Sequence, residues 1–280
     1  MAAVPVVLDI ELGAGRLRVE VRGKPTDPLL VCVPGLSANL RCFDALATAA
    51  AADGHRVAAV DLRGRGWSED TPAGTYGWPA HARDVLALAT ALGADRFDLC
   101  GHSMGGFVAM ETAHTDGSRL RRLVLVDALG PPEPESLPPI LASVERLGVV
   151  VSSREEYLAG RRASGAIEPW AQQWTDYFEY ELDDVDGGVR PRTSRAAVEE
   201  DAVHGAARDP AELWAALTMP TLLLRAERPV VPGAGHIVAA ADVERAARSV
   251  PGLRVVPVDA AHYTIVNHAD SVRSVLEFLR

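Results

Sequence analysis

Short apolar runs recur along the chain at 29–33, 57–60, 97–100, 123–126, 221–224 and 253–256, each long enough for one buried strand. Between them lie stretches with helical spacing of apolar residues, at 39–52, 78–92, 103–114, 239–249 and 270–279. Strand and helix therefore alternate, which predicts a mostly parallel sheet covered on both faces. Two alternating segments at the start, 6–12 and 16–22 around Gly13-Ala14-Gly15, predict an antiparallel hairpin at one edge.

The alternation stops between residues 130 and 219. Pro131, Pro132, Pro134, Pro138 and Pro139 open this stretch, several helical patterns follow without a clear strand, and Pro220 restarts the sheet. Residues 1–129 and 220–280 are thus expected to form one α/β core, with 130–219 as a helical cap inserted after the sixth strand of an eight-stranded sheet. Trp170, Trp174, Tyr177, Phe178 and Glu181 fall at helical spacing in the cap. Such a stripe serves either to pack the cap or to line a pocket beneath it.

One turn carries a chemical signature. Gly101-His102-Ser103-Met104-Gly105-Gly106 follows a strand-like run and precedes the helical stretch beginning at Phe107. A sharp strand-to-helix turn of this form holds its central serine in a strained backbone conformation, and side chains at 101 and 105 would clash with strand and helix. Ser103 is the nucleophile this pattern nominates. The turn also leaves the Met104 N–H unpaired at the helix N-terminus, facing any oxyanion that forms.

Composition narrows the partners. A formal net charge of −10, with dispersed basic residues, argues against a nucleic-acid surface. The opening residues lack a basic, apolar leader, and no later stretch approaches an uncharged membrane span, so a cytoplasmic protein without membrane contact is expected. Cys32, Cys42 and Cys100 have no metal-ligand spacing, and they read as reduced, buried thiols. Small or neutral substrates fit these features better than polyanions, and no metal site is expected.

Besides the serine turn, the sequence carries Val33-Pro34-Gly35-Leu36-Ser37 after the third strand and Asp61-Leu62-Arg63-Gly64-Arg65-Gly66-Trp67-Ser68 after the fourth. With these motifs the whole chain resembles the α/β-hydrolase fold superfamily, in its capped, esterase-like branch. The resemblance implies a doubly wound sheet, no cofactor, and attack by serine on an acyl or similar carbon; it does not imply a substrate. It also implies a chain order of serine, acid, histidine. His262, in the loop after the last strand, matches the base. His268, at the start of the final helix, and His236, in a loop before the last strand, are the weaker candidates.

The acid has two candidates. The usual position, after strand 221–224, reads Arg225-Ala226-Glu227-Arg228-Pro229, where the expected aspartate is missing and Glu227 is the only carboxylate. The superfamily also uses the end of the preceding strand, and Asp127 stands there. Asp127 is favoured because Glu227 is a methylene longer and early in its turn. The resemblance places the oxyanion donors at the backbone N–H groups of Met104 and Leu36, with Gly35 allowing close approach. Asp61 and Arg63 are expected to pin their loop, and Trp67 to border the cavity.

The leading expectation is a serine hydrolase of the EC 3.1.1 class, cleaving a small carboxylic ester, lactone or related acyl bond through an acyl-enzyme. The alternative is a thioesterase or acyltransferase of secondary metabolism. A cofactor-free perhydrolase, a carbon–carbon hydrolase and a non-catalytic binding protein are further readings.

Overall fold

The computed structural model describes residues 5–280; residues 1–4, part of the opening stretch read above as lacking a leader, lie outside the described residues. Strands β1 (Val6–Leu12) and β2 (Gly15–Arg22) form the edge hairpin. The parallel part then alternates as β3 (Leu29–Val33), α1 (Asp44–Ala52), β4 (Arg56–Val60), α2 (Trp78–Ala91), β5 (Phe97–His102), α3 (Met104–Asp116) and β6 (Leu120–Val126). A single 3₁₀ turn, Leu40–Phe43, leads into α1, so the helical stretch read from residue 39 begins tighter than an α-helix.

After β6 the chain leaves the sheet for α4 (Leu137–Glu145), α5 (Arg154–Ala163), α6 (Gln172–Tyr180), a two-stranded hairpin of β7 (Leu182–Val185) and β8 (Gly188–Pro191), and α7 (Arg195–Ala206). The hairpin departs from the purely helical expectation for this region. Its strands are four residues each around Gly187 and Gly188, too short for periodicity to reveal. The sheet resumes with β9 (Thr221–Ala226), α8 (Ala240–Ser249), β10 (Leu253–Val258) and α9 (Ala269–Leu279).

The main sheet has eight strands in the order β1-β2-β4-β3-β5-β6-β9-β10, antiparallel only where β2 meets β1 and β4. All five residues of β3 and all six of β5 are buried, as strands covered on both faces must be. One apolar layer joins the sheet to α2 and α3, and the other joins it to α1, α9 and the aromatic side of α6. Strand order reverses between β3 and β5, so the loops leaving their carboxyl ends diverge and open a crevice. The serine turn and the Pro34-Gly35-Leu36 loop both lie there.

Residues 130–219 are tied to the sheet by buried polar contacts. Arg65, fully buried, donates to Asp201 of α7 at 2.6 Å; His81 Nε2 of α2 lies 2.9 Å from the same carboxylate, and the Gly77 N–H donates to it at 2.6 Å. Burial pushes Asp201 up, but these partners outweigh it and hold the carboxyl at about 2. Asp61 accepts from the Leu40 and Trp67 N–H groups and from the Tyr180 hydroxyl of α6, at 2.7, 3.0 and 2.7 Å. Burial prevails there, raising Asp61 to about 6. Arg63 grips Asp84 through two nitrogens, at 2.8 and 2.5 Å, which fixes the loop after β4. The three cysteines are free and buried. Among the described residues, no helix is long and apolar enough to cross a membrane.

Candidate active site

Ser103 sits between β5 and α3 with φ 55° and ψ −125°, a conformation that a residue bearing a side chain adopts only under constraint. The constraint is steric. A Cβ at Gly101 would lie 2.1 Å from the Gly105 carbonyl oxygen, and one at Gly105 would lie 2.1 Å from that of Val33. Strand, turn and helix therefore pack backbone to backbone, which only glycine permits.

Three side chains from distant parts of the chain meet at this turn. The Ser103 Oγ lies 3.0 Å from His262 Nε2, and His262 Nδ1 lies 2.8 Å from Asp127 Oδ2. The Ala226 N–H donates to the other Asp127 oxygen at 3.0 Å. Asp127 follows β6 directly and has φ 49°, so its turn also departs from ordinary backbone. Because β9 lies beside β6, with Val126 opposite Leu224, the Asp127 carboxylate reaches the end of β9. His262 and Asp127 are both almost fully buried. A carboxylate at Nδ1 fixes the imidazole as the Nδ1–H tautomer and leaves Nε2 free to accept from serine.

Glu227 is exposed, and its carboxylate makes no contact with His262; its backbone N–H donates to Val258 and its carbonyl meets His236 Nε2 at 3.3 Å. His268 caps α9, accepting from the Asp270 N–H. Leu36 and Met104 are brought to the same crevice. A Cβ on Gly35 would lie 3.2 Å from the Ser103 Cβ, which measures how closely the Leu36 loop approaches the serine. Among the described residues, neither the Leu36 nor the Met104 N–H donates to a protein acceptor.

His102 was not singled out by the pattern, although it stands beside the serine. Its ring lies 4.8 Å from that of His262, and its Nε2–H donates to the His262 carbonyl at 2.9 Å. Burial and the neighbouring His262 hold His102 down to about 3, so it stays neutral.

These groups open on a cavity of about 610 Å³. The Leu36 loop forms one wall, while Pro138, Ile140, Trp174, Tyr177 and Phe178 form an apolar wall from α4 and α6. The aromatic stripe thus both packs and lines, since Trp174, Tyr177 and Phe178 also belong to the buried layer under the sheet. Trp67 does not line this cavity; it borders a separate surface groove, with the Arg192 guanidinium against its ring. Arg146 and Arg161 also face the cavity, and no periodicity announces them.

A sequence model described as alpha/beta hydrolase fold matches residues 28–269. The chain is 31% identical over 264 residues to 2-(acetamidomethylene)succinate hydrolase of Mesorhizobium japonicum, an alignment covering 89% of this chain and 86% of that protein. It is 30% identical over 226 residues to 2-hydroxymuconate semialdehyde hydrolase of Pseudomonas putida, covering 74% of this chain and 79% of the other. Among solved structures, E-2-(acetamidomethylene)succinate hydrolase superposes with a TM-score of 0.85 at 27% identity, covering 99% of both chains.

Proposed function

Because the chain belongs to the α/β-hydrolase fold family, we propose that it is a serine hydrolase that cleaves an ester, lactone or amide of a small molecule through an acyl-enzyme. The observation that carries this reading is the hydrogen-bonded line from Ser103 through His262 to Asp127, at 3.0 and 2.8 Å, opening on a cavity of about 610 Å³. Relatives that bear hydrolase names over most of their length support it.

In this mechanism His262 Nε2 takes the Ser103 proton as Oγ bonds to the acyl carbon. The carbonyl oxygen becomes an oxyanion, stabilised by the Leu36 and Met104 N–H groups; donors of this kind are worth about 3 kcal/mol each. Collapse breaks the bond to the leaving oxygen or nitrogen, which receives the proton from His262. Water then gives a proton to His262 and attacks the acyl-serine, and the acid leaves as Ser103 regains its hydrogen. Asp127 keeps its charge throughout, orienting the ring and stabilising the imidazolium.

The direct test is labelling by a fluorophosphonate. The reading expects a single adduct on Ser103, lost in Ser103→Ala. No adduct on the folded wild-type protein would sink it and favour a non-catalytic binding protein. Turnover of an aryl ester compared with an acyl thioester then separates an ester-type hydrolase from a thioesterase.

A further inference from the structure

The cavity wall holds a charge that the serine chemistry does not use. Arg146 follows α4, and Arg161 lies on α5 four residues after Tyr157, on the same helical face. Glu181, fully buried at the end of α6, meets Arg146 at 3.0 Å and accepts the Tyr157 hydroxyl at 2.5 Å. Burial raises Glu181, while Arg146, the Tyr157 hydroxyl and Arg161 all act to keep it a carboxylate. The ion pair accounts for Arg146.

Arg161 is not accounted for in this way. Among the described residues its guanidinium has no ion pair, and its Nε is buried without a hydrogen-bond partner. Its nearest aromatic contact, the Tyr157 ring, lies 5.7 Å from Cζ. The neighbouring Arg162 instead turns outward to Trp170 and Thr175. Two guanidinium groups and one carboxylate leave a surplus of one positive charge, and among the described residues no carboxylate lines the cavity to match it. A buried donor without an acceptor is costly, so such a surplus on a cavity wall marks the place where a ligand anion completes the site.

Resting on the serine-hydrolase reading, we infer that Arg161, backed by the Arg146–Glu181 pair, is a subsite for one carboxylate of the substrate. The preferred class is an acyl compound bearing a single free carboxylate in addition to the scissile group. A second carboxylate would have no unpaired cation to meet, because Glu181 already neutralises Arg146. This separates the chain's expected preference from that of a succinate-type diacid.

Three aryl esters test the subsite: the succinate monoester, its neutral branched isostere, and an analogue with two free carboxylates. The monocarboxylate is expected to exceed the neutral ester in kcat/KM by about ten- to a hundredfold, the range for a hydrogen bond to a charged group. The second carboxylate should give no further gain. Arg161→Gln should bring the charged-to-neutral ratio close to one, while Arg162→Gln keeps the wild-type ratio. Benzoate supplies a readout independent of turnover, since it should raise Tm in the wild type and not in Arg161→Gln.

A ratio near one in wild-type protein whose Ser103 still takes the fluorophosphonate would overturn the subsite and leave the hydrolase reading standing. Preference for the dicarboxylate, or a ratio that survives in Arg161→Gln, would overturn it equally. Failure of labelling together with an Arg161-dependent benzoate shift would instead sink the catalytic reading and keep the anion site.

Discussion

The Asp127 carboxylate lies 2.8 Å from His262 Nδ1, and the Ala226 N–H holds its other oxygen at 3.0 Å, so a residue at the end of β6 reaches a histidine beyond β10. The contact needs no movement of either backbone. If Asp127 orients the imidazole, Asp127→Asn should lower kcat by about three to four orders of magnitude, as loss of the triad acid does elsewhere. Glu227→Gln should stay within about twofold of wild type, as suits an exposed side chain away from the site. Steady-state kinetics on an aryl ester decides, and the reverse pattern would return the acid to the turn after β9.

Gly105→Ala drives a methyl group toward the Val33 and Pro34 carbonyl oxygens, to within 2.1 and 2.6 Å. No flexible side chain is there to yield. A destabilisation of at least about 2 kcal/mol is expected, with loss of activity. Gly13→Ala is the matched control, since a Cβ there meets nothing within 4 Å. Urea denaturation of both variants checks the contrast.

His102 makes stability depend on pH in a predictable direction. Its folded-state value lies at about 3, below the ordinary histidine value of 6.5. Between these limits the unfolded chain binds a proton that the folded one refuses, so stability falls as pH drops from 6.5 toward 3, by at most about 1.4 kcal/mol per pH unit. Asp61 works the other way, since a folded-state value of about 6 means that stability is gained as pH falls from about 6 to about 4. Comparing wild type with His102→Gln isolates the histidine, and the variant should lose less stability over pH 6.5 to 4.5. Equal slopes in the two proteins would refute this account.

Asp201→Ala would leave the Arg65 guanidinium buried without its carboxylate. The expected cost is about 3–5 kcal/mol, and Arg65→Met combined with Asp201→Leu should be milder than either single change. A cost below about 1 kcal/mol for Asp201→Ala, measured by chemical denaturation, would show that this pair does not hold α7 to the sheet.

The fold was legible in the sequence because its signals are local. Apolar runs separated by helical spacing give the strands and helices of the sheet to within a few residues, and the run before Cys100 extends through His102 because the turn itself begins in strand geometry. The β7–β8 hairpin was not legible, since four-residue strands carry too little alternation. Ser103 was legible for the same local reason: the glycines that permit its strained turn are its sequence neighbours.

By itself, then, the sequence determined the sheet, its edge hairpin, the departure of residues 130–219 from the alternation, and the serine's strained turn, all features encoded within a few residues of one another. Only the tertiary structure decided which carboxylate stands beside His262, that His102 holds the His262 carbonyl, and that Arg161 faces the cavity without a counter-charge. Each of these is a contact between segments far apart in the chain, set by strand order and by how α4, α5 and α6 pack over the crevice. No local pattern encodes a pairing 135 residues apart, such as Asp127 with His262; it exists only once β6, β9 and β10 lie side by side.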